Sequence, residues 1–473
     1  MTGVLSTVSN NLGFILQFNG VVTLAPLFVA FALQEQAAFQ ALALTVITYL
    51  VLGFLLARAK QGDLNFKTSY ALILSTFLVI GLIGAIPYLV LGNSIFQLAA
   101  PSLVDSLFDS VSGYTTTGMT IISNPETIPQ SLILFRSIQE WVGGISIIFL
   151  LILFLNATGR PSLGMAAFGK FERLKPSTQK TFIELLKIYG ASTVVFIAVL
   201  TTIGGVDPFD SFNLVFTGVA TGGFVPRSDL STALNPSAQI ILMVLMILGA
   251  TNFAVAYRAF LNKPKGLPEK EFVLFLSIMA IVTVVLVGVA QSNGDNASWL
   301  STSFLSVSAA TTTGFQLLPI STISEPQKIL LVLLMFIGGM SFSTAGGMKV
   351  FRLFILGKSI PWVGRKLASP VDAIIPLKLG ESRLLDRDVI YSYVFVGLAI
   401  LVILVFTIVF MIHGFAFIDS LFTVTSAFGN VGLTVGVAAV GLDPILKSLL
   451  IAGMILGRIE ILPLVVVLRM IFR

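Results

Sequence analysis

The chain has 473 residues, of which 56% are apolar and only 11% charged, with a mean hydropathy of +0.99; this excludes a soluble globular domain. Zero cysteines exclude disulfides, haem thioether attachment and thiolate metal sites, and a single histidine, His413, argues against a zinc or di-iron centre. The net charge of +6 follows a membrane topology rather than a nucleic-acid partner, as its distribution shows.

In chain order, the first apolar run, 11–33, ends in "FVAFALQ", which offers Ala30 and Ala32 as an A-x-A cleavage pattern. No basic stretch precedes it, so it reads as a retained helix. Runs of about 20 residues, long enough to cross a bilayer, follow near 39–58, 69–92, 131–156, 182–204, 238–261, 272–290, 328–357 (interrupted), 389–413 and 445–468. The last eight of these ten spans form four pairs. Each pair encloses a weakly apolar segment of about a dozen residues, too short to span. The expected fold is an all-α polytopic membrane protein: an N-terminal transmembrane helix pair (1–60) and four helix–pore-loop–helix repeats at 61–160, 181–262, 270–360 and 387–473.

Segments 58–67, 156–181, 258–271, 349–387 and 469–473 carry 22 of the 28 basic residues and 7 acidic ones. The alternating connections 34–38, 93–130, 205–235, 292–328 and 413–447 carry 3 basic and 11 acidic residues. The positive-inside bias therefore puts both termini in the cytoplasm and all four short segments on the outer side.

The short segments share a register. Stepping back thirteen residues from Gly118, Gly223, Gly314 and Gly432 reaches Asp105, Asp210, Ser301 and Asp419, all of types preferred at helix N-caps. The strings they open, "DSLFDSVSGYTTTG", "DSFNLVFTGVATGG", "STSFLSVSAATTTG" and "DSLFTVTSAFGNVG", align without a gap. The aspartates are expected as caps and, near a pore mouth, also concentrate cations. Non-helical backbone at membrane depth must be buried in protein or line a watery cavity, so four such segments imply a shared axis. Short helices pointing their C-terminal ends at that axis favour a cation there. Backbone carbonyls beyond them can replace an ion's hydration shell. Glycine accepts the dihedrals this needs, and hydroxyls of Thr116, Thr117, Thr221, Thr312 and Thr313 can add ligands or brace the loops.

Within the third repeat, "FIGGMSFSTAGGMKVFR" (336–352) interrupts a span with Gly338, Gly339, Gly346 and Gly347 around Ser341, Ser343 and Thr344. Each internal glycine costs about 1 kcal/mol in a helix, so the segment reads as a broken helix with a movable loop, or else as a small-residue packing face. Arg458 and Glu460 lie in the last span, where charge faces a cavity or a partner. Lys349 reads as snorkelling to the cytoplasmic surface, and Arg136, Glu140 and Trp141 as an interfacial anchor.

These residues resemble the membrane subunit of the Trk/Ktr/HKT superfamily of potassium transporters, most closely its Trk branch, over essentially the whole chain. "TTTGMT", "ATGGF", "TTTGF" and "NVGL" are similar to its four filters, "GGMSFSTAGGMKVFR" to its intramembrane gating loop, and "QEWVGGISI" and "GRIEILPLV" to flanking helix motifs. The helices of 11–58 are similar to the pair that separates Trk from Ktr proteins. The resemblance implies a pseudo-fourfold potassium pore whose filter comprises Thr116, Thr117, Gly118, Thr221, Gly222, Gly223, Thr312, Thr313, Gly314, Asn430, Val431 and Gly432. It implies a gate at Ser341, Ser343, Thr344, Gly346, Gly347, Lys349 and the pore-facing Arg458. It also implies a homodimer in the inner membrane, in contact with lipid, opened by a cytoplasmic ring of nucleotide-binding (NAD, ATP or ADP) regulatory subunits, with K+ as the transported ion and no organic cofactor. In that family a serine at the Gly118 position accompanies sodium selectivity. Phe342 stands where the family often has a further small residue.

Two other classes compete. A secondary transporter coupling K+ to H+ or Na+ predicts inverted or paired repeats and central ionisable groups, against four same-orientation repeats here. An intramembrane hydrolase would use Ser341 or Ser343 as nucleophile and Lys349 as base, but no ordered helix sets a base beside either serine. The chain is therefore expected to be no enzyme.

Overall fold

The computed structural model describes residues 2–62, 64–97, 102–157, 178–253, 255–256, 267–293, 298–370, 375–379, 382–384 and 386–460. The N-terminal pair consists of α1 (Thr2–Val22), continued by α2 (Leu24–Ala32), and α3 (Gln36–Ala57). The first repeat holds α4 (Phe66–Gly84), the short helix α5 (Leu103–Tyr114) and α6 (Gln130–Ala157); the second, α7 (Thr178–Thr202), α8 (Pro208–Val219) and α9 (Pro236–Gly249). The third holds α10 (Leu267–Ser292), α11 (Trp299–Ala310) and a helix split into α12 (Glu325–Ile337) and α13 (Val350–Leu367). The fourth holds α14 (Asp386–Ile412), α15 (Phe417–Phe428) and α16 (Pro444–Ile459). The chain is a polytopic all-α membrane protein. A two-stranded hairpin, Leu377–Leu379 with Ser382–Leu384, is a minor addition in the basic connection 349–387. It packs with Trp362 and Ile355 of α13 in a small apolar cluster.

Among the described residues, six helices are long and apolar enough to cross a membrane: Gly3–Ala32, Gln36–Ala57, Thr68–Val90, Ile183–Thr202, Lys270–Ser292 and Val389–Ile412. They are the N-terminal pair and the first helix of every repeat. The other four expected spans are the second helices. Of these, α6 runs 28 residues, α9 14 and α16 16, and the third is broken. The ends expected for α9 and α16, at 257–261 and 461–468, and most of the basic linker 156–181 lie outside the described residues. Large apolar side chains such as Val284 (72% exposed) and Ile412 (75%) cover the outer surface. That surface suits hydrocarbon rather than water.

The four short helices α5, α8, α11 and α15 are each 12 residues long and end four residues before Gly118, Gly223, Gly314 and Gly432. Their caps correct the sequence reading. The N-cap residues are Ser102, Asp207, Ser298 and Ala416, so Asp105, Asp210, Ser301 and Asp419 occupy the third helical position. Ser102 and Asp105 form a capping box, in which Asp105 N donates to Ser102 Oγ (3.2 Å) and Ser102 N to Asp105 Oδ2 (2.9 Å). In the first three repeats the same residue types serve both positions, which shifts the expected start by one turn, while in the fourth Ala416 caps without a side-chain hydrogen bond.

Candidate ion-conduction site

After each short helix the chain reverses in the same way four times. Thr117 N, Gly222 N, Thr313 N and Val431 N donate to the carbonyls of Ser112, Thr217, Ser308 and Ser426 at 2.8 to 2.9 Å. The preceding residues, Thr116, Thr221, Thr312 and Asn430, have φ between +50° and +53°, and the glycines two residues on have φ of +72°, +100°, +88° and +88°. Left-handed conformations alternate along every segment, and only glycine takes the second position without strain.

The segments close on one another. A Cβ added to Gly118 would overlap the carbonyl of Gly222, one on Gly223 that of Thr313, one on Gly314 that of Val431, and one on Gly432 that of Thr117. The cycle runs through repeats 1, 2, 3, 4 and back to 1, so the four segments close into a single ring at Thr117–Gly118, Gly222–Gly223, Thr313–Gly314 and Val431–Gly432. The hydroxyls of Thr117, Thr221, Thr312 and Thr313 brace it, whereas the buried Thr116 hydroxyl has no hydrogen-bond partner among the described residues. Thr117 bonds Thr115 (2.8 Å) and accepts from Asn430 Nδ2 (3.0 Å), Thr313 bonds Thr311 (2.9 Å), and Thr312 accepts from Gly346 N (2.7 Å). Thr221 donates to the Ala220 carbonyl (2.7 Å).

Behind the first two segments lies a charged cluster that replaces the expected interfacial anchor. Arg136 and Glu140 are fully buried. Asp109 accepts from Thr120 (2.5 Å), Arg136 Nη2 donates to Thr120 Oγ1 (2.8 Å), and the Arg136 guanidinium covers the Phe224 ring at 4.0 Å. Glu140 accepts from Phe224 N at 3.1 and 3.2 Å and fills the space beside Gly222. Trp141 donates to Thr193 (3.2 Å) and stacks on Phe216. Two charges four residues apart in a span were the visible signal. Their partners, Asp109 at 3.4 Å from Arg136 and Phe224 N on Glu140, 27 and 84 residues away, were not.

The segment between α12 and α13 is a loop, which removes the packing-face reading. Gly338 (φ +70°) and Gly347 (φ +75°) meet at its base, an added Cβ on Gly347 falling 2.7 Å from Gly338 Cα. Thr344 Oγ1 donates to the carbonyls of Gly249 (2.9 Å) and Val219 (3.1 Å), the last residues of α9 and α8, and approaches Thr221 Oγ1 at 3.2 Å. Ser341 N donates to Glu271 Oε1 (2.7 Å). Phe342, at φ +56°, is buried and its carbonyl accepts from Phe253 N (3.0 Å). Lys349 does not snorkel outward but turns back to donate to the Ala345 carbonyl, and Ser343 Oγ donates to the Met340 carbonyl (2.6 Å). The serine and lysine of the hydrolase reading are thus not joined. Arg458 donates through Nη1 to Thr344 O (2.9 Å) and through Nη2 to Gly143 O (3.1 Å), tying the loop to α6, while Glu460 pairs with Arg352 (2.6 Å).

The TrkH family model, described as a cation transport protein, matches residues 34–472. The chain belongs to the TrkH family. It is 30% identical over 459 residues to an uncharacterized cation transporter of Methanocaldococcus jannaschii, covering 96% of this chain and 93% of that one. It is 29% identical over 475 residues to the Trk system potassium uptake protein TrkH of Halomonas elongata, covering 96% of each. The crystal structure of the potassium transporter TrkH from Vibrio parahaemolyticus superposes with a TM-score of 0.85 at 26% identity over 98% of both chains. TrkH membership accounts for the helical architecture and agrees with the Trk branch expected from the motifs.

Proposed function

We propose that this TrkH-family chain takes up potassium across the cell membrane through one selectivity filter built from Thr116–Gly118, Thr221–Gly223, Thr312–Gly314 and Asn430–Gly432. The observation that carries the reading is the closed cycle in which each register glycine meets the next repeat's carbonyl. Alternating left-handed residues turn successive carbonyls to one side, where they replace water around an unhydrated cation, and the C-terminal ends of α5, α8, α11 and α15 add negative potential. The chain performs no covalent chemistry, and K+ is its cargo.

The loop 340–347 is the gate, held shut by Arg458 through Thr344. Both termini face the cytoplasm, the protein is a homodimer of the inner membrane, and a nucleotide-binding cytoplasmic partner docks on the basic connections 156–181 and 349–387 to release the loop. The functional units are 1–60, 61–160, 181–262, 270–360 and 387–473. The Trk system naming of the Halomonas relative supports potassium as the ion and a multi-component system.

The test is cation flux into proteoliposomes holding the purified chain, with potassium, rubidium, sodium and lithium compared and Gly118→Ser in parallel. Selective potassium and rubidium flux, lost in Gly118→Ser, is expected. If the protein alone is silent, a variant lacking 341–345 should conduct. A silent deletion variant, or unchanged selectivity in Gly118→Ser, would sink the assignment.

A further inference from the structure

The filter segments differ in what stands behind them. The last residue of each short helix is Tyr114, Val219, Ala310 or Phe428, so only the first repeat carries a polar group there. Tyr114 is buried, two residues before left-handed Thr116, and its carbonyl lies against Gly143. Its hydroxyl meets that of Tyr49 at 2.8 Å. Tyr49 belongs to α3 of the N-terminal pair, is completely buried, and its hydroxyl also donates to the Ile80 carbonyl of α4 (3.0 Å).

The Tyr49 hydroxyl thus stands between the Ile80 carbonyl and the Tyr114 hydroxyl, and when its proton goes to Ile80 the bond between the two tyrosines is donated by Tyr114. The surroundings leave no slack. A Cβ on Gly84 would fall 2.5 Å from Tyr114 Cε2 and 2.7 Å from Ser110 Oγ, and Ser110 Oγ itself donates to the Gly81 carbonyl (2.7 Å). A shift of the Tyr114 ring is therefore passed to the backbone that enters the ring of carbonyls.

We propose that Tyr49 is a positioning residue for the first filter segment: through the Tyr114 hydroxyl, the N-terminal helix pair sets the spacing of the Thr117–Gly118 carbonyls and with it the preference for potassium over sodium. The inference rests on the filter reading above. It gives the pair a share in selectivity rather than in anchorage alone, and it makes the first repeat the one whose geometry is set from outside the four repeats.

The test is asymmetric because Tyr49→Phe takes from the buried Tyr114 hydroxyl its 2.8 Å partner, whereas Tyr114→Phe removes that hydroxyl and its need for a partner together, so the double variant should match Tyr114→Phe. The readout is ion-dependent thermal stabilisation of the full chain in detergent, titrated separately with potassium and sodium, which needs no open gate. Tyr49→Phe should lower the potassium-to-sodium affinity ratio by about fivefold, with Tyr114→Phe and the double variant showing a smaller and equal loss. Gly118→Ser serves as the control for a disrupted filter. Retention of the wild-type ratio in Tyr49→Phe, while Gly118→Ser loses it, would overturn the inference and leave the filter intact. A wild-type chain with no potassium preference would overturn the filter reading and this inference with it.

Discussion

Lys447 Nζ lies 2.5 Å from Asp105 Oδ1, joining the first turn of α16 in the fourth repeat to the third helical position of α5 in the first, with both side chains buried. Lys328 on α12 repeats the relationship with Asp419 on α15 (2.8 Å), and Arg227 bonds Asp210 within the second repeat. These are the three basic residues of the outer connections, and each is held by an aspartate of the shared register. The aspartates therefore clamp neighbouring elements in addition to sitting near the positive helix ends.

Removing one partner of a buried pair leaves an uncompensated charge. Lys447→Met should destabilise the protein by about 3 to 5 kcal/mol, and Lys447→Met combined with Asp105→Asn should recover part of that. Thermal unfolding in detergent measures both. Additive losses in the double variant would show that the two residues do not share their interaction.

Gly432 and Gly436 separate backbone strain from crowding. Their φ values are +88° and +91°, but a Cβ on Gly432 would overlap the Thr117 carbonyl whereas one on Gly436 meets nothing within 4 Å. Alanine at Gly436 should cost only the left-handed strain, about 1 to 2 kcal/mol, and preserve selective flux. Alanine at Gly432 should abolish selectivity in liposome flux with competing potassium and sodium. Equal loss in both variants would mean that strain, not the ring contact, is what matters.

Arg458 spans two carbonyls on different elements, Thr344 on the loop and Gly143 on α6. A lysine is a point donor without the guanidinium fork, so Arg458→Lys should hold only one of them. Basal potassium flux by the chain alone should then rise several-fold, and Arg458→Gln should raise it further. Flux at or below the wild-type level in both variants would remove the latch role.

Glu271 accepts from the Ser341 backbone at 2.7 Å. Glu271→Gln keeps an acceptor at that place and should stay near wild type, while Glu271→Ala leaves the buried Ser341 N–H unpaired, a penalty of about 1 to 3 kcal/mol. The expected sign is a looser loop, read as faster backbone hydrogen exchange over 340–347 in the alanine variant alone. Identical exchange in both variants would contradict it.

The parts of the molecule that repeat are legible in the sequence, as is the one interruption that glycine composition marks, whereas the long-range partners of buried charges are not. Gly118, Gly223, Gly314 and Gly432 announce themselves by equal spacing from similar helix starts, because one backbone geometry was needed four times. The broken third inner helix was visible because glycine pairs are poor helix interior. Arg136, Glu140 and Lys349 were misread because hydropathy and distance from a span's end say where a charge sits but not what it meets. Their partners at Thr120, Phe224 and Ala345 come from the folded arrangement. The capping error had a local cause: Ser102 and Asp105 are both good caps, and only the capping box decides between them.

The loop and the ring share bonds: Gly346 N donates to Thr312 Oγ1, and Thr344 Oγ1 lies 3.2 Å from Thr221 Oγ1. In the proposed filter this joins two equilibria, ion occupancy above and loop position below, into one thermodynamic cycle. Reciprocity then holds whatever the magnitude: any factor by which a displaced loop alters ion affinity is the factor by which a bound ion alters the tendency of the loop to move. External potassium would thus act on loop position as well as being carried past it.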